Sequence, residues 1–248
     1  MLPSLEISGA VATLTLRRPK SANRLDPEDL RAIIEHAAEV SARREVLVLQ
    51  LRAEGKYFCS GYNIGKLVGT DVGPSFEDMV NAVEDVRPIT IAVVHGGIYG
   101  GATDLALACD FRIGSDATDM FMPAARLGLH YYRRGLERYV SRLGVDMAKR
   151  LFLTAERLDA QRMREYGFLT DLVPAAELDA AVDRLTTTLC GMAPLAILGM
   201  KKHLNRIARG ALDVAELAAD IAVVDASQDK IEGGAAWAAK RPPKFTGR

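Results

Sequence analysis

Apolar residues along this chain switch between a period of two and a helical period, and the switches divide it into strands and helices. Leu5-Glu6-Ile7-Ser8 and Val11 to Leu16 alternate around Gly9, the pattern of a hairpin with a Ser-Gly turn. Asp26, Pro27, Glu28 and Asp29 form a helix start, and Leu30, Ile33, Ile34, Ala37 and Val40 supply one buried stripe. Val46 to Leu51 reads as a central strand. A loop of small residues follows, Gly55 to Gly65, then a Gly-containing loop from Val68 to Pro74 and a helix from Phe76 to Val86. Ile89 to Val94 has the composition of a strand buried on both faces. It passes through His95-Gly96-Gly97-Ile98-Tyr99-Gly100-Gly101 into a helical run ending near Ala108.

Phe111 to Gly114 is a short strand. Helices are expected over Leu136 to Leu143, Asp146 to Thr154, Asp159 to Tyr166, Glu177 to Cys190, Pro194 to Ile207 and Ala211 to Ala226, with a brief extended piece at Asp171 to Pro174. The last third is all helix, so an α/β core with a helical C-terminal appendage is the expected architecture, divided as 1–190 and 191–248.

Composition narrows the class without altering that picture. A chain of 248 residues with 49% hydrophobic and 26% charged residues is long enough to bury a large core. Thirty-two basic and thirty-two acidic residues cancel, which gives no electrostatic case for nucleic acid or an anionic membrane. No apolar stretch approaches the roughly 20 residues that span a bilayer, and no secretory signal is visible. Cys59, Cys109 and Cys190 are odd in number and far apart, which argues against a disulfide framework or clustered zinc. The expectation is a cytoplasmic protein without metal or redox cofactor.

The glycine turn carries the candidate chemistry. Paired glycines let another molecule approach the backbone, and the first N–H groups of the following helix have no internal acceptor. Such a turn stabilises a developing oxyanion. Asp104 puts a carboxylate beside it, with helix-dipole compensation as its other reading. The earlier loop, Phe58-Cys59-Ser60-Gly61-Tyr62-Asn63-Ile64, also sits at the end of a buried strand, where ligands of α/β sheets bind.

Taken together and in order, these segments resemble the crotonase superfamily, the enoyl-CoA hydratase/isomerase family. Phe58 to Ile64 is similar to that family's F-x-x-G-x-D-I segment, and Gly100 to Asp110 to its G-G-G-x-E-L-A-x-x-C-D segment. Leu153-Thr154-Ala155, and Glu232-Gly233 through Lys240-Arg241 to Phe245, match later landmarks. The resemblance implies a crotonase-like spiral of ββα units, a helical C-terminal trimerisation region, and a homotrimer or a hexamer built as a dimer of trimers. It implies a coenzyme A thioester as substrate. The thioester oxygen would lie between the backbone N–H groups of Tyr62 and Gly101. Lys20, Ser21, Ala22, Cys59, Ser60, Trp237 and Lys240 occupy positions that contact coenzyme A or substrate in the family.

Two departures bear on the reaction. Family hydratases flank the substrate with two glutamates that share the attacking water. The first position is Asp104 here, shorter by about 1.5 Å, and the second is Ala124, which cannot move a proton. The segment beyond it is His130-Tyr131-Tyr132-Arg133-Arg134, where His130 is the alternative general acid or base. Tyr131 and Tyr132 are aromatic packing residues or hydrogen-bond donors to substrate. Three readings follow: an isomerase or hydratase-like lyase using Asp104; a decarboxylase or thioester hydrolase with Arg126, His130 or Arg133 holding a substrate carboxylate; and a non-catalytic coenzyme A-binding protein.

Overall fold

The computed structural model describes residues 1–66 and 73–248; most of the loop expected from Val68 to Pro74 lies outside them. In chain order the elements are β1 (Ser4–Ser8), β2 (Val11–Leu16), α1 (Pro27–Ala42), β3 (Val48–Ala53), α2 (Phe76–Asp85), β4 (Ile89–Val94), β5 (Ile98–Tyr99) and α3 (Gly101–Ala108). There follow β6 (Phe111–Ser115), β7 (Asp119–Phe121), α4 (Arg133–Leu143), α5 (Val145–Thr154), β8 (Leu158–Asp159), α6 (Ala160–Glu165), β9 (Asp171–Val173) and α7 (Leu178–Cys190). Three helices close the chain: α8 (Pro194–Ala208), α9 (Val214–Asp225) and α10 (Gln228–Ala238).

The main sheet runs β1-β2-β3-β4-β6-β9. Only the β1–β2 hairpin is antiparallel. Strand β4 is buried along its whole length because both of its faces are covered. Alternate side chains serve different cores. Ala92 and Val94 join Leu49, Leu51, Leu30, Val80 and Leu105 on the face covered by α1, α2 and α3. Ile91 and Val93 join Val48, Ile113 and Val182 under α7. One buried hexapeptide therefore belongs to two cores.

Helix starts follow the sequence closely. Asp26 and Asp29 form a reciprocal capping box with Pro27 at the first position of α1, and Ser75 and Asp78 do the same for α2. The expectations miss a second, small sheet, β5-β7-β8. Two- and three-residue strands are too short to display a period, and they form because the glycine turn lies beside Phe121. The strand expected from Val46 begins at Val48 instead, since the Val46 N–H closes a turn onto the Arg43 carbonyl. The helix expected from Ala211 starts at Val214, where the Asp213 side chain accepts from the N–H groups of Ala215 and Glu216. Trp237 lies within α10, which was not expected. Among the described residues no single helix is long and apolar enough to cross a membrane.

The end of α2 is held electrostatically. Glu84 and Asp85 occupy a helix C-terminus, where acidic groups oppose the dipole, and arginines offset this. Arg134 pairs with both, Arg138 Nε lies 3.0 Å from Glu84, and Arg209 beyond α8 lies 2.8 Å from Asp85. Burial would raise the Glu84 carboxyl, but Arg138 and Arg134 outweigh it and hold the group below its ordinary value. Asp85 is lowered in the same way, burial being overcome by Arg134 and Arg209. Groups lowered by folding add stability that is complete above their ordinary values, 4.5 and 3.8 here. That stability is lost as pH falls through the folded values. Thermal melts at about pH 6, 4 and 3 should show a falling midpoint, and Glu84→Gln should flatten that slope. An unchanged slope in the variant would show that this cluster does not govern acid stability.

Candidate active site

The two small-residue loops meet backbone to backbone. Gly61 has φ +90°, and a Cβ placed on it would stand 2.8 Å from the Tyr99 carbonyl oxygen and 3.0 Å from the Gly101 nitrogen. No side chain fits there, so Gly61 and its neighbour Tyr62 abut the first residue of α3. Gly96 has the same constraint, its Cβ position falling 2.0 Å from the Lys56 carbonyl oxygen. Gly100, at φ +56°, donates its N–H to the Phe121 carbonyl at 3.0 Å. The Gly101 N–H is thereby the first of the helix, at its positive end.

The surrounding loop is tied in by main-chain bonds. The Leu25 N–H donates to the Gly61 carbonyl, and the Ser60 N–H donates to the Ala22 carbonyl, each at 2.9 Å. Cys59 is buried; its thiol donates to the Asn23 carbonyl, and burial pushes its pKa up to about 12. It is a packing residue rather than a nucleophile. Ala22, Cys59, Ser60, Tyr62 and Gly101 therefore converge. Lys20 and Ser21 sit exposed on the short turn beside them. Trp237 is 88% exposed at the end of α10, with Lys240 just beyond, and neither is hydrogen-bonded to this cluster among the described residues. His95 closes the end of β4 by bonding the Gly55 carbonyl at 2.8 Å.

Asp104 is fully buried on α3 and belongs to a chain of charged groups. Arg138 Nη1 of α4 donates to its two oxygens at 2.8 and 2.9 Å. The same guanidinium reaches Glu84 through Nε and Asn81 through Nη2. The Tyr132 hydroxyl donates to Asp104 Oδ2. Asp104 does not cap its own helix, since α3 has no side-chain cap. Burial pushes the Asp104 carboxyl above the usual carboxylate range, although Arg138 and Tyr132 pull the other way. An acid with a raised pKa is suited to taking up a proton.

An aromatic row covers this carboxylate. Phe76 lies against the Gly101 backbone, its ring 2.6 Å from where a Cβ would stand. Its ring centroid is 5.9 Å from that of Tyr62 and 6.4 Å from that of Tyr132, and Tyr131 stacks on Tyr132 at 4.5 Å. Sequence reasoning placed Tyr62, Gly101 and Asp104 together and named Tyr132 as a packing residue or a donor to substrate, but missed its bond to Asp104, and missed Arg138 and Phe76 as parts of the site. Only the spacing of Arg134 and Arg138 by one helical turn, on a strongly amphipathic segment, hinted at a role.

The other candidate groups point elsewhere. His130 is exposed and bonds the Tyr131 carbonyl. Arg126 donates to the Thr154 carbonyl, and Arg133 pairs with Glu137. Ala124 is buried at the start of a short turn, and the Pro123 ring lies 3.9 Å from the Cβ position of Gly100. Ala124 directly follows that proline in the chain.

Known proteins confirm the class. The family model for enoyl-CoA hydratase/isomerase matches residues 6–248, so the chain belongs to that family. It is 30% identical over 209 residues to a short-chain-enoyl-CoA hydratase of Clostridium acetobutylicum, covering 82% of this chain and 80% of that one. It is 27% identical over 256 residues to a carnitinyl-CoA dehydratase of Proteus mirabilis, with 98% of each covered. A crystal structure of an enoyl-CoA hydratase/isomerase family member superposes with a TM-score of 0.90 at 26% identity, over 98% of this chain and 97% of the other. The fold is thus the α/β crotonase fold.

Arg138 is buried with two carboxylates. Removing one member of such a group leaves uncompensated charge and costs about 3–5 kcal/mol. Urea unfolding of Arg138→Met should show a loss of that size, partly recovered in Arg138→Met/Asp104→Asn. A loss below about 1 kcal/mol would mean that the neighbouring arginines compensate.

Proposed function

We propose that the protein binds an acyl-CoA thioester, polarises its carbonyl between the N–H groups of Tyr62 and Gly101, and forms an enolate whose proton is taken up by Asp104. The observation that carries this reading is the backbone contact of Gly61 with the start of α3, which sets two loop backbones side by side. Preorganised N–H donors favour a charge that develops during reaction over a neutral ground state. With Ala124 in the second position there is no partner carboxylate to hold an attacking water. The site therefore fits a one-carboxylate double-bond isomerase better than concerted hydration. The decarboxylase or hydrolase reading loses support, because Arg126 and Arg133 are committed to other partners.

The occupation of both Asp104 oxygens favours one other reading, a coenzyme A thioester binder without turnover. Butyryl-CoA in D₂O separates the two. The enzyme reading expects deuterium at the α carbon, no exchange in Asp104→Asn, and a loss of about 10²–10³ in rate in Gly61→Ala. Binding without exchange in the wild type selects the non-catalytic reading.

The same reading includes self-association through the C-terminal helices. Leu204, Ile207, Val214, Ile221 and Trp237 are each more than half exposed in the single chain, an apolar surface that a lone soluble molecule seldom presents. Sedimentation should give three or six times the 26.9 kDa of one chain, and a monomer would remove this part of the proposal.

A further inference from the structure

Asp104 stands at the position of the family's first glutamate, yet both of its oxygens are already engaged. It has no exposed surface. Its Oδ1 is taken by Arg138, and its Oδ2 by Arg138 and Tyr132. The phenol is different. Tyr132 immediately precedes α4, makes no side-chain cap there, and is only half-buried. It belongs to the aromatic row that begins at Tyr62, whose backbone is half of the proposed oxyanion site. Phe76, whose ring abuts the Gly101 backbone, thus packs against both Tyr62 and Tyr132.

Resting on the enolate chemistry proposed above, we infer that Tyr132 is the catalytic residue that touches the substrate and relays its proton to Asp104. The step balances without a co-reactant. The α C–H bond breaks, its electron pair forms the enolate, and the thioester oxygen carries the charge between the two N–H groups. The α proton goes to Tyr132 Oη as the proton already on Oη passes to Asp104 Oδ2. Run in reverse at the γ carbon of an enoyl chain, the same transfers return the proton and leave the double bond one position along. Neither water nor a second carboxylate takes part, which agrees with Ala124.

A second observation supports the assignment. The buried Tyr131 hydroxyl lies beside that of Tyr132, and the two rings are stacked. A buried hydroxyl needs a partner, and the Tyr132 phenol beside it is the group that interacts with it. Burial, then the negative charge of Asp104, raises the pKa of both phenols. Tyr132 thus stays protonated at rest and acts as a conduit. The charged groups around the relay are Asp104 on α3, Arg138 on α4 and Glu84 on α2, and Arg138 keeps Asp104 in place as a positioning residue.

The test uses the full chain with butyryl-CoA in D₂O, α-deuterium read by mass spectrometry and affinity by calorimetry. Tyr132→Phe keeps the ring and removes the proton. Tyr132→Phe and Asp104→Asn should each lower exchange by about 10²–10⁴ with affinity nearly unchanged. The double variant should be no slower than the slower single, because the two act as one unit. Replacing Tyr132 by 3,5-difluorotyrosine keeps the shape and makes the phenol a stronger donor to Asp104, which favours the carboxylate and should move the pH–rate profile of exchange, set by Asp104, to lower pH. Exchange at the wild-type rate in Tyr132→Phe, or an unshifted profile with difluorotyrosine, would overturn the relay and leave the enolate reading standing. Binding without any exchange in the wild type would remove both.

Discussion

One guanidinium holds this site together. Arg138 projects from α4 into the space between α2 and α3, where it meets Asp104, Glu84 and Asn81 within hydrogen-bonding distance. None of these charges is tolerable alone. Asp104 is buried against apolar neighbours, and Glu84 sits at the wrong end of its helix. Arg138, itself buried, repays its own desolvation only through several partners at once. The result fixes α4 against α2 and α3, and with it the residue that begins α4, Tyr132. A structural ion network thereby sets where α4 starts, and so where the Tyr132 hydroxyl meets Asp104.

The oxyanion geometry rests on a different constraint, the absence of side chains. Gly61 and Gly96 stand where a Cβ would strike backbone, and Gly101 where it would strike the Phe76 ring. Because the donors are main-chain N–H groups, their placement depends on loop path rather than on side-chain identity. Tyr62 can then spend its side chain on packing against Phe76. The backbone of the turn and the side chains around it are therefore set by separate constraints. The side chains are Asp104, held by the Tyr132 hydroxyl, and Tyr131 stacked on Tyr132.

The cavity geometry agrees with a site covered by its own aromatics. A cavity of about 1060 Å³ opens between the core and the C-terminal helices, lined by Arg87, Lys201, Arg209 and Phe245 among others, and none of Gly61, Tyr62, Gly101 or Asp104 lines it.

The sequence by itself determined the α/β order, the capped starts of α1 and the strand–turn–helix at Ile89 to Ala108, because each depends on neighbours within a few residues: Pro27 after Asp26, or a buried strand running into paired glycines. It also determined that Ala124 stands where a second carboxylate is expected, since that is a matter of identity at one position. Tertiary structure alone decided the rest. The strands β5, β7 and β8 are too short to carry a period and exist through one another. The environment of Asp104 depends on Arg138, 34 residues away, and on Tyr132, 28 residues away. Separations of that size leave no local pattern. A carboxylate written in the sequence could be read as a base or a cap; only packing made it a buried anion between a guanidinium and a phenol.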